Sequence, residues 1–331
     1  MMNLLPISIG CGNSDRTRPI KDGRIPIEGC VVNYITLEPE EVFFRAFRSQ
    51  EFDITELSFS SYVLATSKGE CPYIAIPAFV SRVFRHSGIY IRTDRGIKEP
   101  ADLRGKTIGV PEYQMTAIVW IRGMLKEEYG IDASEMNWVS GGQEEPGRDE
   151  RTPLTLTNGV NLKPISRGKT LSRMLAEGEI DAIFSARLPS CFAARAPHVG
   201  RLFPDYKEKE KAYFKKTGHF PIMHLIGVRR SLVETHPWLA TSVYKAFVQA
   251  KDLALEEVRQ MHVPMAALPW MEAEALETID LMGDDYWPYG VAENLNDIEA
   301  MARYSYEQGL AVRKLKPEEL FAKSTLEISR I

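Results

Sequence analysis

Two stretches of the chain carry one pattern of apolar and polar positions. Residues 45–58 (RAFRSQEFDITELS) and 173–186 (RMLAEGEIDAIFSA) each run an amphipathic helix into an acidic turn and then into a short apolar strand. Phe47 answers to Leu175, Phe52 to Ile180 and Asp53 to Asp181. Helix-period apolar positions giving way to a buried run mark an α/β unit, and one such unit in each half predicts two similar lobes with a site between them.

The same reading along the chain predicts strands over 5–9, 31–37, 53–57, 74–79, 88–92, 107–110, 138–139, 181–185 and 223–228. Helices are expected from Pro39, where proline suits a first helical position, over 60–67, 114–129 and 170–177, and through most of the chain after Pro237. There Leu239, Val243, Phe247, Ala250 and Ala254 share a face. The strand over 223–228 reads as the return to the first lobe. The lobes are therefore bounded as 1–103 with 222–331, and 104–221, joined by two crossings that suit closure around a small molecule. The polar segment 140–161 is long enough to predict a lid or a wall of the site. The aromatic turn GDDYWPYG fits either core packing or the interface of a homo-oligomer.

A length of 331 residues with 44% hydrophobic content supplies two cores. With 41 basic against 45 acidic residues, the charge of −4 makes no case for binding nucleic acid or an anionic membrane. No apolar run is long enough to span a bilayer, and MMNLLPISIG lacks the basic start and apolar core of a signal peptide. Cys11, Cys30, Cys71 and Cys191 are scattered without a CxxC spacing, so the expected location is the cytoplasm.

Ligands of an open α/β sheet sit beyond the carboxyl ends of its strands. Arginines recur there: Arg16, Arg18, Arg82, Arg85 and Arg187, with Arg148 on the long polar segment. A guanidinium fork meets a carboxylate with two parallel hydrogen bonds, so several aimed at one cleft imply a ligand with more than one carboxylate. Any one of them is solvated or paired with a neighbour about as often as it binds a ligand; their recurrence is the signal.

His86, at the mouth of a predicted strand, and His224, inside the apolar run IMHLI, are the candidate proton donors, although a histidine in such a run is more often a satisfied core residue. Glu112 in VPEYQMTA competes with them, its other role being a first-turn carboxylate. Tyr113 is placed to hydrogen-bond or stack on a ring, and Ser60 starts a helix whose N–H groups would face the cleft. With no HExxH and no close His/Cys cluster, no cofactor is expected, and the one set open to a divalent metal is His86, His224 and a carboxylate. Gly10-Cys11-Gly12 is not a dinucleotide fingerprint, and Walker and GxSxG motifs are absent.

The segments GNSDRTRPIKDGR, ELSFSSYVLA, FVSRVFRHSGIYIR, DLRGKTIGVPEYQMTAIVWIRGML, GGQEEPGRDE, FPIMHLIGVRR and LMGDDYWPYG resemble the 4,5-dihydroxyphthalate decarboxylase family over nearly the whole chain. VPEYQMTA and EEPGRDE are the most specific. The resemblance implies a two-lobed type 2 periplasmic-binding-protein-like α/β fold, with mixed sheets flanked by helices. It also implies a cytoplasmic enzyme that converts 4,5-dihydroxyphthalate to 3,4-dihydroxybenzoate (protocatechuate) and CO2.

Direct loss of CO2 would leave an aryl carbanion, so the chemistry favours ionising the para hydroxyl and protonating the ring carbon that bears the departing carboxylate. On that route His86 or His224, or else Glu112, is the donor. Arg16, Arg82 and Arg85 hold the carboxylate that stays, Arg187 or Tyr113 meets a hydroxyl oxygen, and Arg18, Arg148 and Ser60 complete the candidate contacts. Phe59, Phe84 and Met223 would give the departing carboxylate an apolar face. Two alternatives stand beside this reading: a non-catalytic binding protein or sensor for a small aromatic dicarboxylate, and a decarboxylase of another phthalate isomer.

Overall fold

A computed structural model of the chain describes residues 4–150, 154, 156, 159–260 and 265–326. Its strands form two sheets. The first holds β1 (Leu5–Cys11), β2 (Cys30–Thr36), β3 (Ile54–Ser58), β4 (Tyr73–Arg82) and β11 (Ile222–Arg229), in the order β2-β1-β3-β11-β4. The second holds β5 (Ile89–Arg92), β6 (Thr107–Val110), β7 (Asn137–Ser140), β8 (Asn161–Pro164), β9 (Ala182–Phe184) and β10 (Val199–Arg201), in the order β10-β5-β9-β6-β7-β8. Both are mixed. β11 runs antiparallel to β3 and β4, and β5 antiparallel to β9 and β10, while the remaining pairs are parallel. Among the described residues no helix is long and apolar enough to cross a membrane.

The repeated sequence unit is a repeated structure. The helix Pro39–Ser49 leads into β3 and the helix Leu171–Glu177 into β9. Each following aspartate ties that unit to the first parallel strand of its lobe: the Ser8 amide of β1 donates to Asp53 Oδ2 at 2.8 Å, and the Thr107 amide of β6 donates to Asp181 Oδ2 at 2.9 Å. Two residues past each donor stands a glycine that the residue before the aspartate covers. A Cβ on Gly10 would lie 2.5 Å from the Phe52 ring, and one on Gly109 would lie 2.8 Å from Ile180. The repeat thus extends into β1 and β6, where it is written only as a small donor residue, a spacer and a glycine.

β11 begins at Ile222, where the return to the first sheet was expected, but the first crossing comes earlier than residue 103. Ile89–Arg92, grouped with the first lobe on sequence, pairs with β9 and β10 of the second sheet, so the chain changes lobe through 83–88. A short apolar strand carries no mark of which sheet it will join.

Behind the cleft the lobes share one core. Trp120, on the second-lobe helix Thr116–Tyr129, donates through Nε1 to the Ile222 carbonyl at 3.0 Å, and buried Arg122 donates through Nε to Gln308 Oε1 at 2.8 Å. Gln308 returns a bond from Nε2 to the Val119 carbonyl at 3.0 Å. The aromatic turn belongs to this packing: Trp287 Nε1 donates to the Phe79 carbonyl at 2.8 Å, and Tyr289 is buried.

Candidate functional site

Three adjoining cavities lie beyond the strand ends. The one of about 610 Å³ is walled by first-lobe residues that include Asn13, Arg16, Glu56 and His224. A second, of about 410 Å³, is walled largely by 142–148 and Arg187 of the second lobe, together with Glu40. The third, of about 300 Å³, joins them, sharing Glu38 and His224 with the first and Glu40, Met115 and Arg187 with the second. Residues 142–148 therefore make the expected wall. Of the remainder of that polar segment, 151–153, 155, 157 and 158 lie outside the described residues.

His224 and Glu56 form a pair at the floor. They stand on adjacent antiparallel strands, where the register sets His224 opposite Ser58 and Ile226 opposite Glu56, so both side chains project from one face of the sheet as diagonal neighbours. On its other side, β4 interrupts its pairing with β11 between Ile76 and Ser81, an irregularity of the kind that re-aims side chains beside a site. His224 Nδ1 lies 2.6 Å from Glu56 Oε1, with the Phe43 ring edge-on at 4.8 Å. Glu56 Oε2 accepts from the Gly12 amide at 2.8 Å and from the Cys11 thiol at 3.3 Å. Burial opposes charge on Glu56, but the hydrogen bond and charge of His224, with the Gly12 and Cys11 donors, hold its carboxyl below the usual range. An ionised Glu56 can only accept, so Nδ1–H donates to it, which leaves Nε2 for the cavity. Burial and the Glu56 charge push the Cys11 thiol well up, so it serves as a donor and not as a nucleophile.

The cations of the wall differ in what already neutralises them. Arg85 donates through Nε to Met223 Sδ at 3.1 Å and makes no ion pair among the described residues. Burial lowers its pKa to about 10, opposed by the more distant Glu210 and Tyr90. Arg16 grips the Val80 carbonyl through Nε and Nη2 at 3.3 and 3.2 Å, pairs with Asp15 at 2.5 Å, and stacks 4.0 Å over Trp287. Arg148 bridges Glu40 at 2.7 Å and Glu112, its Nε 3.0 Å from Glu112 Oε1. Arg187 is exposed and stands 3.4 Å from Glu38 and 3.6 Å from Glu40. The start of the helix Pro39–Ser49 thus gives the cleft an acidic lip, faced by two arginines of the other lobe.

Several expected contacts lie elsewhere. Arg82 is buried in the first lobe, pairing with Asp297 at 3.1 Å, with Asn294, and with the Phe220 and Pro288 carbonyls. Arg18 is exposed on a short helix outside the walls. Ser60 is buried between lobes, its Oγ donating to the Gln114 carbonyl at 2.5 Å and its amide to Thr116 Oγ1 at 3.1 Å, so Ser60 turns both donors to the second lobe and not to the cleft. Tyr113 is buried beneath Arg122, whose guanidinium carbon is 3.6 Å from its ring centre. Glu112 sits behind the wall, engaged by Arg148. Of the three apolar candidates only Met223 lines the cavity; Phe59 is core and Phe84 stacks on Phe220.

His86 is also misplaced by the sequence reading. It is buried between Phe203 and Tyr213, ring centres 5.2 and 5.3 Å away, and does not line the cleft. Burial, with a smaller contribution from the Lys209 charge, lowers its pKa from 6.5 to about 4. The unfolded chain therefore binds the extra proton between those values, and stability falls as pH drops through that window. A thermal melt series should show the fall, His86→Phe should flatten that part of it, and kcat of the variant should stay at the wild-type level. Glu56, the partner that orients His224, was not among the sequence candidates; its signal was a carboxylate in the centre of a strand whose every residue is buried.

Two α/β lobes joined by two crossings around a charged cleft are the fold of substrate-binding proteins. A family model described as ABC transporter, phosphonate, periplasmic substrate-binding protein matches residues 29–182. The periplasmic aliphatic sulphonate binding protein SsuA of Escherichia coli superposes with a TM-score of 0.55 over 97% of this chain and 98% of its own at 12% identity. The alkanesulfonate-binding protein SsuA of Xanthomonas axonopodis pv. citri does so with a TM-score of 0.50 over 97% of each at 12% identity. Sequence goes further. The chain is 46% identical over 330 residues to 4,5-dihydroxyphthalate decarboxylase of Comamonas testosteroni, covering 100% of both. It is 51% identical over 205 residues to the Pseudomonas putida protein of the same name, covering 62% of this chain and 80% of that one. The chain belongs to the 4,5-dihydroxyphthalate decarboxylase family.

Proposed function

We propose that the protein decarboxylates 4,5-dihydroxyphthalate to 3,4-dihydroxybenzoate and CO2, with the His224–Glu56 pair delivering a proton to the ring. The observation that carries this reading is one cavity that holds both a buried-side guanidinium without an ion-pair partner among the described residues, Arg85, and an imidazole oriented by an ionised carboxylate. The first suits a carboxylate that stays bound, the second a proton that moves.

Each carboxylate of the substrate is para to one hydroxyl. Arg85 holds the retained carboxylate. As the hydroxyl para to the departing one ionises, its oxygen takes carbonyl character and Nε2 of protonated His224 gives a proton to the ring carbon, which becomes tetrahedral. The carbon–carboxylate bond then breaks, its electron pair restores the aromatic ring, and CO2 leaves past Met223. The phenolate so regenerated takes a proton back from solvent, replacing the one its hydroxyl released on ionising. In the net balance one proton enters through His224 and one CO2 departs, so the dianion becomes the monoanion of the product. Glu56 is a positioning residue: through its hydrogen bond to Nδ1 it keeps Nε2 toward the ring. Arg187 at the mouth suits the developing phenolate. A cytoplasmic setting belongs to this reading, on the scattered spacing of the four cysteines.

The direct test is CO2 release from a panel of phthalates. Release from the 4,5-dihydroxy compound, undiminished after chelation, is the expected result. Loss on chelation with recovery on adding a divalent ion would replace the metal-free route. Saturable binding without CO2 from any member of the panel would make the protein a receptor instead.

A further inference from the structure

A dianionic substrate should avoid carboxylates, yet the cavity that holds Arg85 is also walled by Glu38 and Glu40. Glu40 is the better placed of the two. Each lines two of the three cavities, but the Glu38 side chain is 82% exposed against 31% for Glu40. It stands in the first turn of the helix Pro39–Ser49, with Arg148 at 2.7 Å from Oε2. Oε1 has Arg187 at 3.6 Å, beyond hydrogen-bond length, and a carboxylate oxygen accepts more than one donor. The lip therefore presents an acceptor and a cation side by side.

We propose that Glu40 reads the hydroxylated edge of the substrate, accepting a hydrogen bond from the hydroxyl that stays protonated while Arg187 meets its ionising neighbour. This rests on the decarboxylase reading and adds the residue that sets ring specificity. A ring with two carboxylates at one edge and two hydroxyls at the other presents anions to Arg85 and donors to the lip. A phthalate without hydroxyls brings the same two negative charges into the cleft but turns bare ring edge toward an anion and adds no donor to offset it. The carboxylate thus supports one ligand and penalises the other.

The test compares 4,5-dihydroxyphthalate, as KM and by calorimetric binding, with phthalate, as competitive inhibitor and by calorimetric binding, in the wild-type protein, Glu40→Gln and Glu40→Ala. The expected result is a wild-type preference for the dihydroxy compound that shrinks by about tenfold or more in both variants. Phthalate should bind them as well as it binds the wild type or better, which also shows that they are folded. A preference that is unchanged, or equal losses for both ligands, would overturn the assignment and leave Glu40 as a link between lobes. Calorimetry separates this outcome from failure of the functional reading. A wild-type protein that binds the dihydroxy compound without releasing CO2 defeats the decarboxylase reading, whereas an unaltered binding preference in the variants defeats the role of Glu40.

Discussion

Replacing His224 by Gln is expected to lower kcat by about two to four powers of ten and to leave KM nearly unchanged. The split follows from the geometry. His224 sits on β11 with Nδ1 held 2.6 Å from Glu56, so its remaining nitrogen is the group aimed into the cavity, while Arg85 and Arg16 supply the charge that attracts a dicarboxylate. Gln keeps much of the bulk and a hydrogen-bonding end but has no proton to give. Glu56→Gln should lower kcat by a smaller factor, again without raising KM, because the ring would still be present but no longer fixed in its orientation and tautomer. Single-turnover measurements separate these steps. If His224→Gln abolished binding while the fraction that still bound turned over normally, His224 would be a substrate contact and the donor would have to be sought elsewhere.

The repeat was legible because it is written in local chemistry. An aspartate between an amphipathic helix and a buried strand, preceded by a large apolar residue, marks the same joint in both lobes, and the structure gives Asp53 and Asp181 the same backbone amide to hold. What sequence did not carry is partnership over distance. Arg82 and Arg85 lie three residues apart and look alike in FVSRVFRHSG, but Asp297, Asn294 and the Phe220 and Pro288 carbonyls converge on Arg82, whereas no ion pair reaches Arg85 among the described residues. His86 and His224 differ in the same way. One is at the end of a polar stretch and proves to be enclosed by aromatic rings; the other lies in an apolar run and proves to face the cleft, because its diagonal neighbour across the sheet is Glu56. Packing of Phe203 and Tyr213 decides the first outcome and cross-strand register the second, and both join residues far apart in the chain, 168 positions for Glu56 and His224.

Arg85→Met is expected to raise KM for the substrate by about 10- to 150-fold, the worth of a charge-assisted contact, without lowering the melting temperature. The two results have one cause. Burial lowers the Arg85 pKa to about 10, so between that value and the ordinary arginine range the unfolded chain binds more protons and the stability of the wild type rises with pH. At neutral pH the fold carries a desolvated charge with no ion-pair partner among the described residues, the charge proposed above to meet the ligand. An apolar side chain of similar length removes that desolvation cost along with the binding energy, and the melting temperature should hold or rise by about 2 °C. Arg82→Met makes the opposite case from the same chemical change. There the lost guanidinium leaves Asp297 and Asn294 buried without it, and a loss of about 3–5 kcal/mol in stability is expected. Thermal melts of the two variants, with and without substrate, test the contrast. Arg85→Met should have lost the stabilisation that ligand confers, while Arg82→Met, where it folds, should keep it. A destabilised Arg85→Met with unaltered KM would mean that this cation serves the fold, and the retained carboxylate would need another anchor.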